Sequence, residues 1–182
     1  MLFAGSDDGV YRIEGLRTPS ETHVTKVLDA DQVFRLREFE GLEGIFATSE
    51  SGLFYSVNGT EWTHLPLPED QVYAITTTQS ADRLYAGTRP AKIFMADCEH
   101  DIPFDRHEWN ELSGFKDLRD QSDWGLARYD GIAQIRSLCM HPKVPNRIIA
   151  GVEVGGIHIS NDRGKTWTNR SIQGFDAPHT DD

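Results

Sequence analysis

Short apolar runs alternate with polar positions at a period of two along the chain. No stretch of ten or more residues keeps a convincing helical period. Four runs align with one another: LFAGS at 2–6, IFATS at 45–49, LYAGT at 84–88 and IIAGV at 148–152. Each is followed within a few residues by a second run: GVYRI at 9–13, GLFYS at 52–56, KIFMA at 92–96 and GIHIS at 156–160. The links SDDG, SESG, TRPA and VEVGG are tight-turn material, so each pair predicts a β-hairpin.

Two further runs complete the unit. Before three of the hairpins stand QVFRLREF at 32–39, QVYAITTT at 71–78 and QIRSLCMH at 134–141. After three of them comes a strand led by Trp62, Trp109 or Trp167; residues 24–29 take that part, without tryptophan, in the first unit. Four antiparallel strands in roughly 40 residues is the spacing of a propeller blade. The expected fold class is therefore all-β, a β-propeller with blades near 1–29, 32–65, 71–112 and 134–171 in a single domain or segment.

The fourth hairpin lags the third by 64 residues instead of about 40, which marks an insertion near 115–131 and further residues at 98–107. Long loops on a rigid scaffold are where binding usually resides. The first unit starts with its second strand, so the chain holds about three and three-quarter blades, against the roughly 4–8 of closed propellers. The expectation is an incomplete or open propeller: a fragment of a longer one, or a chain that self-associates through its open blade edges.

Composition narrows the partners. With 29 acidic and 18 basic residues the net charge is −11, which offers no basic stripe to displace counterions from nucleic acid. An acidic, lysine-poor surface is compatible with a halophile. No run reaches the roughly 18 apolar residues of a membrane helix. No secretory leader is visible after Met1, so the chain reads as cytoplasmic with no membrane partner. Cys98 and Cys139 sit in apolar runs without a CxxC, which predicts buried free thiols and no zinc knuckle. The histidines lack metal-ligand spacing; His100 and His107 lie among acidic residues without forming a recognisable motif. No metal and no cofactor are expected.

The segment Ser160-Asn161-Asp162-Arg163-Gly164-Lys165-Thr166-Trp167 resembles the Asp-box, Ser-x-Asp-x-Gly-x-Thr-Trp, at every defined position. A shorter copy runs through Ser56, Asn58, Gly59 and Trp62. Nearly the whole chain resembles the YVTN/BNR-like repeat family of prokaryotic β-propellers, often labelled sialidase-like or glycosyl hydrolase-like. The resemblance specifies fold better than activity. It implies that Ser160, Asp162, Gly164, Thr166 and Trp167 are structural, at a peripheral turn between a blade's third and fourth strands. The turn chemistry agrees: the aspartate can accept local N–H bonds, glycine permits positive φ and tryptophan packs between sheets.

Candidate binding residues lie elsewhere. Innermost strands line a propeller's channel, which places Arg136 and Glu153 at the channel wall, as an ion pair or as a grip on a polar ligand. Trp124, Arg128, Tyr129 and Asp130 on the insertion would cap the same mouth, and His141 ends the inner strand. Sialidases add an Arg-Ile-Pro motif and a Tyr–Glu pair; Arg12-Ile13-Glu14 lacks the proline and no such pair can be assigned. Asp123, Asp130 and Glu153 are conceivable glycosidase carboxylates, but nothing in the sequence selects them, and catalytic residues stay unassigned. The expected function is a non-catalytic binding or scaffold protein for a small-molecule, glycan or protein ligand. The alternatives are a sialidase-like glycoside hydrolase or lyase, and an assembly factor that binds a protein partner.

Overall fold

The computed structural model describes residues 1–98, 108–122, 124 and 132–170. Its strands form four antiparallel sheets, with no closure between them among the described residues. The first has three strands, β1 (Leu2–Ser6), β2 (Gly9–Glu14) and β3 (His23–Asp29). The second has β4 (Arg35–Phe39), β5 (Leu42–Ser49), β6 (Gly52–Ser56) and β7 (Thr63–Leu65). The third has β8 (Gln71–Thr77), β9 (Arg83–Arg89), β10 (Ile93–Asp97) and β11 (Asn110–Glu111). The fourth has β12 (Ile135–Met140), β13 (Ile148–Val152), β14 (Gly156–Ser160) and β15 (Thr168–Asn169). Each sheet runs in simple sequence order, the up-and-down pattern of a propeller blade. β1 takes the second position of its blade, and the innermost position held elsewhere by β4, β8 and β12 has no strand there among the described residues.

The hairpins close as their turn residues demand. Ser6 pairs with Gly9 and Ser49 with Gly52, leaving two residues between, and both glycines adopt positive φ (146° and 135°). A hydroxyl sits at the end of the leading strand in three blades. Ser6 Oγ donates to the Gly9 carbonyl at 3.2 Å, Ser49 Oγ to the Gly52 carbonyl at 2.9 Å and Thr88 Oγ1 to the Pro90 carbonyl at 2.8 Å.

Packing between the blades explains the hydrophobic pattern. β8 and β9 are buried on both faces over five consecutive residues, because the third blade is sandwiched between the second and the fourth. One core unites Phe46, Leu53, Tyr55 and Leu65 with Val72, Leu84 and Phe94. A second unites Tyr85 and Ile93 with Ile135, Ile148 and Ala150. In the fourth blade β13 alternates, and Ile157 of β14 is 48% exposed. In the first blade Leu2 and Val24 are also exposed.

Two sequence expectations change. The insertion does not begin as a loop: Ser113–Asp120 forms a helix, α1. With only Phe115 and Leu118 packed on the core, it is too short to show a helical period. Phe115 is fully buried, 5.3 Å from the Trp167 ring and 5.8 Å from the Trp124 ring. Glycine is required at 114, because a Cβ there would lie 1.9 Å from the Lys165 carbonyl oxygen. The cysteines also part company. Both thiols are free, but only Cys98 is buried, whereas Cys139 is exposed on a strand whose neighbouring Leu138 faces the core.

Candidate ligand site at the inner strands

The inner strands enter through a repeated triplet, Gln32-Val33-Phe34, Gln71-Val72-Tyr73 and Gln134-Ile135-Arg136. The middle residue of the second and third copies, Val72 and Ile135, is fully buried. The third residue departs from the ladder. Pairing with the next strand jumps from Val72 to Ala74 and from Ile135 to Ser137, so Tyr73 and Arg136 are the extra residues of β-bulges. A bulge re-aims its side chain. Here the re-aimed groups meet across blades: Phe34 stacks on Tyr73 at 4.1 Å with 17° between the planes, and the Arg136 guanidinium carbon lies 5.3 Å from the Tyr73 ring centroid. The result is a ladder of phenyl, phenol and guanidinium over three consecutive blades.

Glu153 holds the far end of that ladder. Arg136 Nε donates to Glu153 Oε2 at 3.0 Å and Nη2 to Oε1 at 3.4 Å. The Gln134 side-chain amide donates to the same carboxylate, and the Glu153 backbone N–H donates to the Gln134 carbonyl at 2.9 Å. The hydrogen bond from Gln134, then Arg136 and the charge of Arg89, hold the Glu153 carboxyl below its usual range. It is ionised at neutral pH. Gln134 Oε1 is left buried with no partner, an acceptor lacking a donor. Arg35 of β4 reaches over the third blade, with Nε to the Tyr73 carbonyl at 3.3 Å and Nη2 to the Arg136 carbonyl at 3.0 Å. Arg136 alone of these two arginines pairs with the Glu153 carboxylate, and it keeps 53% of its side chain exposed.

The expected pair of Arg136 and Glu153 is therefore brought together, but His141 and Trp124 do not join it. His141 stands at the opposite end of β12, roughly 16 Å along a strand rising about 3.3 Å per residue. Its Nδ1 accepts the Lys143 N–H at 3.1 Å. Trp124 packs beside Phe115 and His158 (5.2 Å) and against Gly155, so it braces the β13–β14 turn that carries Glu153. Arg128, Tyr129 and Asp130 lie outside the described residues, as do Asp123, His100 and His107. Phe34, Arg35, Tyr73 and Gln134 were missed; the triplet alignment was the signal for all but Arg35, which follows its triplet.

The 160–167 turn satisfies its own groups. Ser160 Oγ donates to Asp162 Oδ1 at 2.8 Å and accepts the N–H of Gly164 at 2.8 Å. Asp162 accepts the Thr166 N–H at 2.9 Å and the Thr166 hydroxyl at 2.6 Å, and Trp167 Nε1 donates to the Gly164 carbonyl at 3.1 Å. These bonds lower the Asp162 carboxyl to about 2, with the Thr166 hydroxyl the largest cause. The shorter turn works alike: Ser56 Oγ accepts the Gly59 N–H at 2.9 Å, and Asn58 Oδ1 accepts the N–H groups of Thr60 and Glu61 at 2.9 and 3.0 Å. With one residue fewer, Trp62 Nε1 is left buried without a partner.

Among the described residues no group of three His, Cys, Asp or Glu could hold a metal ion. Among them, too, no helix is long and apolar enough to cross a membrane. No protein-family model matches the chain. No curated protein matches it either. Solved structures do. An ancestral GH74 enzyme superposes on 92% of this chain with a TM-score of 0.61 and 16% identity. The N-terminal domain of Nup159 superposes on 86% of it with a TM-score of 0.52 and 12% identity. The chain spans 22% of the first and 41% of the second. Identities this low speak for fold alone, and both relatives are β-propellers: the chain has a propeller fold, open among its described residues.

Proposed function

We propose that this chain is part of an Asp-box type β-propeller that binds a hydroxyl-rich polar ligand, such as a glycan, on the Phe34–Tyr73–Arg136 ladder. The observation that carries the reading is the combination at one place of a half-exposed guanidinium, a stacked phenol and a buried carbonyl oxygen, Gln134 Oε1, that lacks a donor. Tyr73 is itself buried under Phe34 and Arg136, so a sugar would meet the half-exposed Arg136 guanidinium, offering it a ring face and hydroxyls. In the Ser160–Trp167 turn the defining groups of Ser160, Asp162, Gly164, Thr166 and Trp167 bond to one another, which supports a structural part for that motif.

The binding reading is preferred to catalysis because of Glu153. A glycosidase acid must be protonated at working pH, which requires a raised pKa. Glu153 is shifted the other way and is held by two donors. The likeness in fold to an ancestral GH74 enzyme favours a second reading, a glycoside hydrolase. One experiment separates the two. Titrate neutral and uronic acid-containing oligosaccharides into the protein and assay the same mixtures for reducing ends. Saturable binding that Arg136→Ala weakens at least tenfold, without hydrolysis, supports binding. Hydrolysis abolished by Glu153→Gln overturns it in favour of the enzyme. No binding to any member of the panel removes the glycan reading.

A further inference from the structure

A second recess lies away from the ladder, in the seam between the third and fourth blades. It has a volume of about 330 Å³ and is lined by Arg83, Met95, Leu112, Ser113, Arg163 and Lys165, with Gly164. Three cations from two segments, β9 and the 160–167 turn, thus converge in a chain of net charge −11. Arg83 Nε is held by Asp97 at 2.8 Å, and Arg163 Nε by the Asn146 side-chain carbonyl at 2.7 Å. Each guanidinium is thereby fixed through Nε. Lys165 is exposed and has no ion-pair partner among the described residues.

The wall behind the recess holds an unexplained group. Tyr85 is fully buried; its hydroxyl lies against the Arg83 side chain but makes no hydrogen bond of good geometry. It pairs across strands with Met95, which lines the recess, and the charges of Arg83 and Arg163 both act on it. Burial raises the phenol above its ordinary value, so the hydroxyl is a neutral donor at neutral pH. A buried hydroxyl that lacks an acceptor is costly, and natural structures leave few of them. The floor is apolar, from Met95 and Leu112. Helix α1 presents its first residue, Ser113, to the recess, and its N-cap Leu112 supplies no side-chain acceptor, so the positive end of the helix adds to the three cations.

We propose that this seam is a binding site for a small ligand that carries a doubly charged oxyanion, phosphate-like, on an apolar body. The anion would be met by Lys165, by the free Nη groups of Arg83 and Arg163 and by the Tyr85 hydroxyl, while the body rests on Met95 and Leu112. Guanidinium and ammonium donors against an oxyanion form the stronger, charge-assisted class of hydrogen bond. The rest of the chain repels anions, so saturable binding here needs a local cause.

The test is calorimetric titration of the intact chain at low ionic strength with phenyl phosphate, inorganic phosphate and phenol. Phenyl phosphate is expected to bind most tightly, inorganic phosphate at least several-fold more weakly, and phenol not measurably. Lys165→Glu should weaken phenyl phosphate at least tenfold, while Arg17→Glu, an equal charge change at an exposed position of the first blade, should not. Tyr85→Phe should weaken it several-fold without loss of folding, since it removes an unpartnered hydroxyl. A purely structural Tyr85 leaves binding unmoved. No saturable binding of phenyl phosphate, or binding that Lys165→Glu and Tyr85→Phe both leave intact, overturns the proposal.

Discussion

Ser160→Ala isolates the load carried by the 160–167 turn. The side chain is fully buried, and its Oγ is the acceptor for the N–H of Gly164, itself a buried residue. Alanine keeps the shape within one atom and removes that acceptor. The Gly164 N–H then stays buried and unpaired, at a cost of about 1–3 kcal/mol. The other N–H held by Ser160 Oγ, that of Asp162 at 3.3 Å, is half-buried and can turn to water, so it adds little. We expect a loss of about 2 kcal/mol, roughly thirtyfold in the folding equilibrium, from a total that for domains of this kind is about 5–15 kcal/mol. Urea unfolding followed by tryptophan fluorescence reads it directly: the midpoint should fall by about 1 M with the slope unchanged. Ser56→Ala makes the same change in the second blade, where Ser56 accepts the Gly59 N–H, and the two losses should add because the turns share no partner. A loss below about 0.5 kcal/mol for Ser160→Ala would refute the account, since an unpaired buried N–H cannot cost so little.

Other outcomes follow from single groups. The Asp162 carboxyl sits at about 2 in the folded chain against an ordinary 3.8, so its contribution to stability is present above pH 4 and is lost as pH falls through about 2; Asp162→Asn should flatten that part of the stability profile, measured by urea unfolding at each pH. His158 is buried, with Nε2 donating to the Gly155 carbonyl at 2.9 Å and its pKa lowered mainly by burial, so the unfolded chain binds more protons and stability should fall as pH drops below 6.5, a slope that His158→Gln should remove. A thiol reagent at mild alkaline pH should modify exposed Cys139 in the native chain and reach Cys98 only on unfolding, because burial pushes Cys98 up to about 11 and shields it; equal native rates would contradict the placement of both. Leu2, Val24 and Ile157 leave apolar surface on the two end blades, and we expect concentration-dependent self-association by light scattering; a monomer at every concentration would count against it.

The strands and their grouping were legible because they rest on local rules. Alternation sets a strand's faces, a Ser-x-x-Gly link closes a hairpin, and a tryptophan run ends a blade; each acts within a few residues, so the order of the fifteen strands could be read from the chain. Arg136 and Glu153 were found for the same reason, as neighbours on a predicted β-meander. What lay beyond reach was where side chains point once a strand breaks its period. The bulges at Tyr73 and Arg136 add one residue each, and that residue leaves the alternation on which the reading depended. Stacking of Phe34 on Tyr73 and of Arg136 beyond it joins residues about 39 and 63 positions apart in the chain, a matter of blade-to-blade distance that no local pattern encodes. Likewise α1 forms because Phe115 finds a pocket between Trp124 and Trp167, and Arg83, Arg163 and Lys165 meet because two blades pack face to face. Sequence by itself determined the strands, their order and the turns that lock the second and fourth blades. Tertiary packing alone decided which polar groups face one another, because only the contact between sheets brings them together.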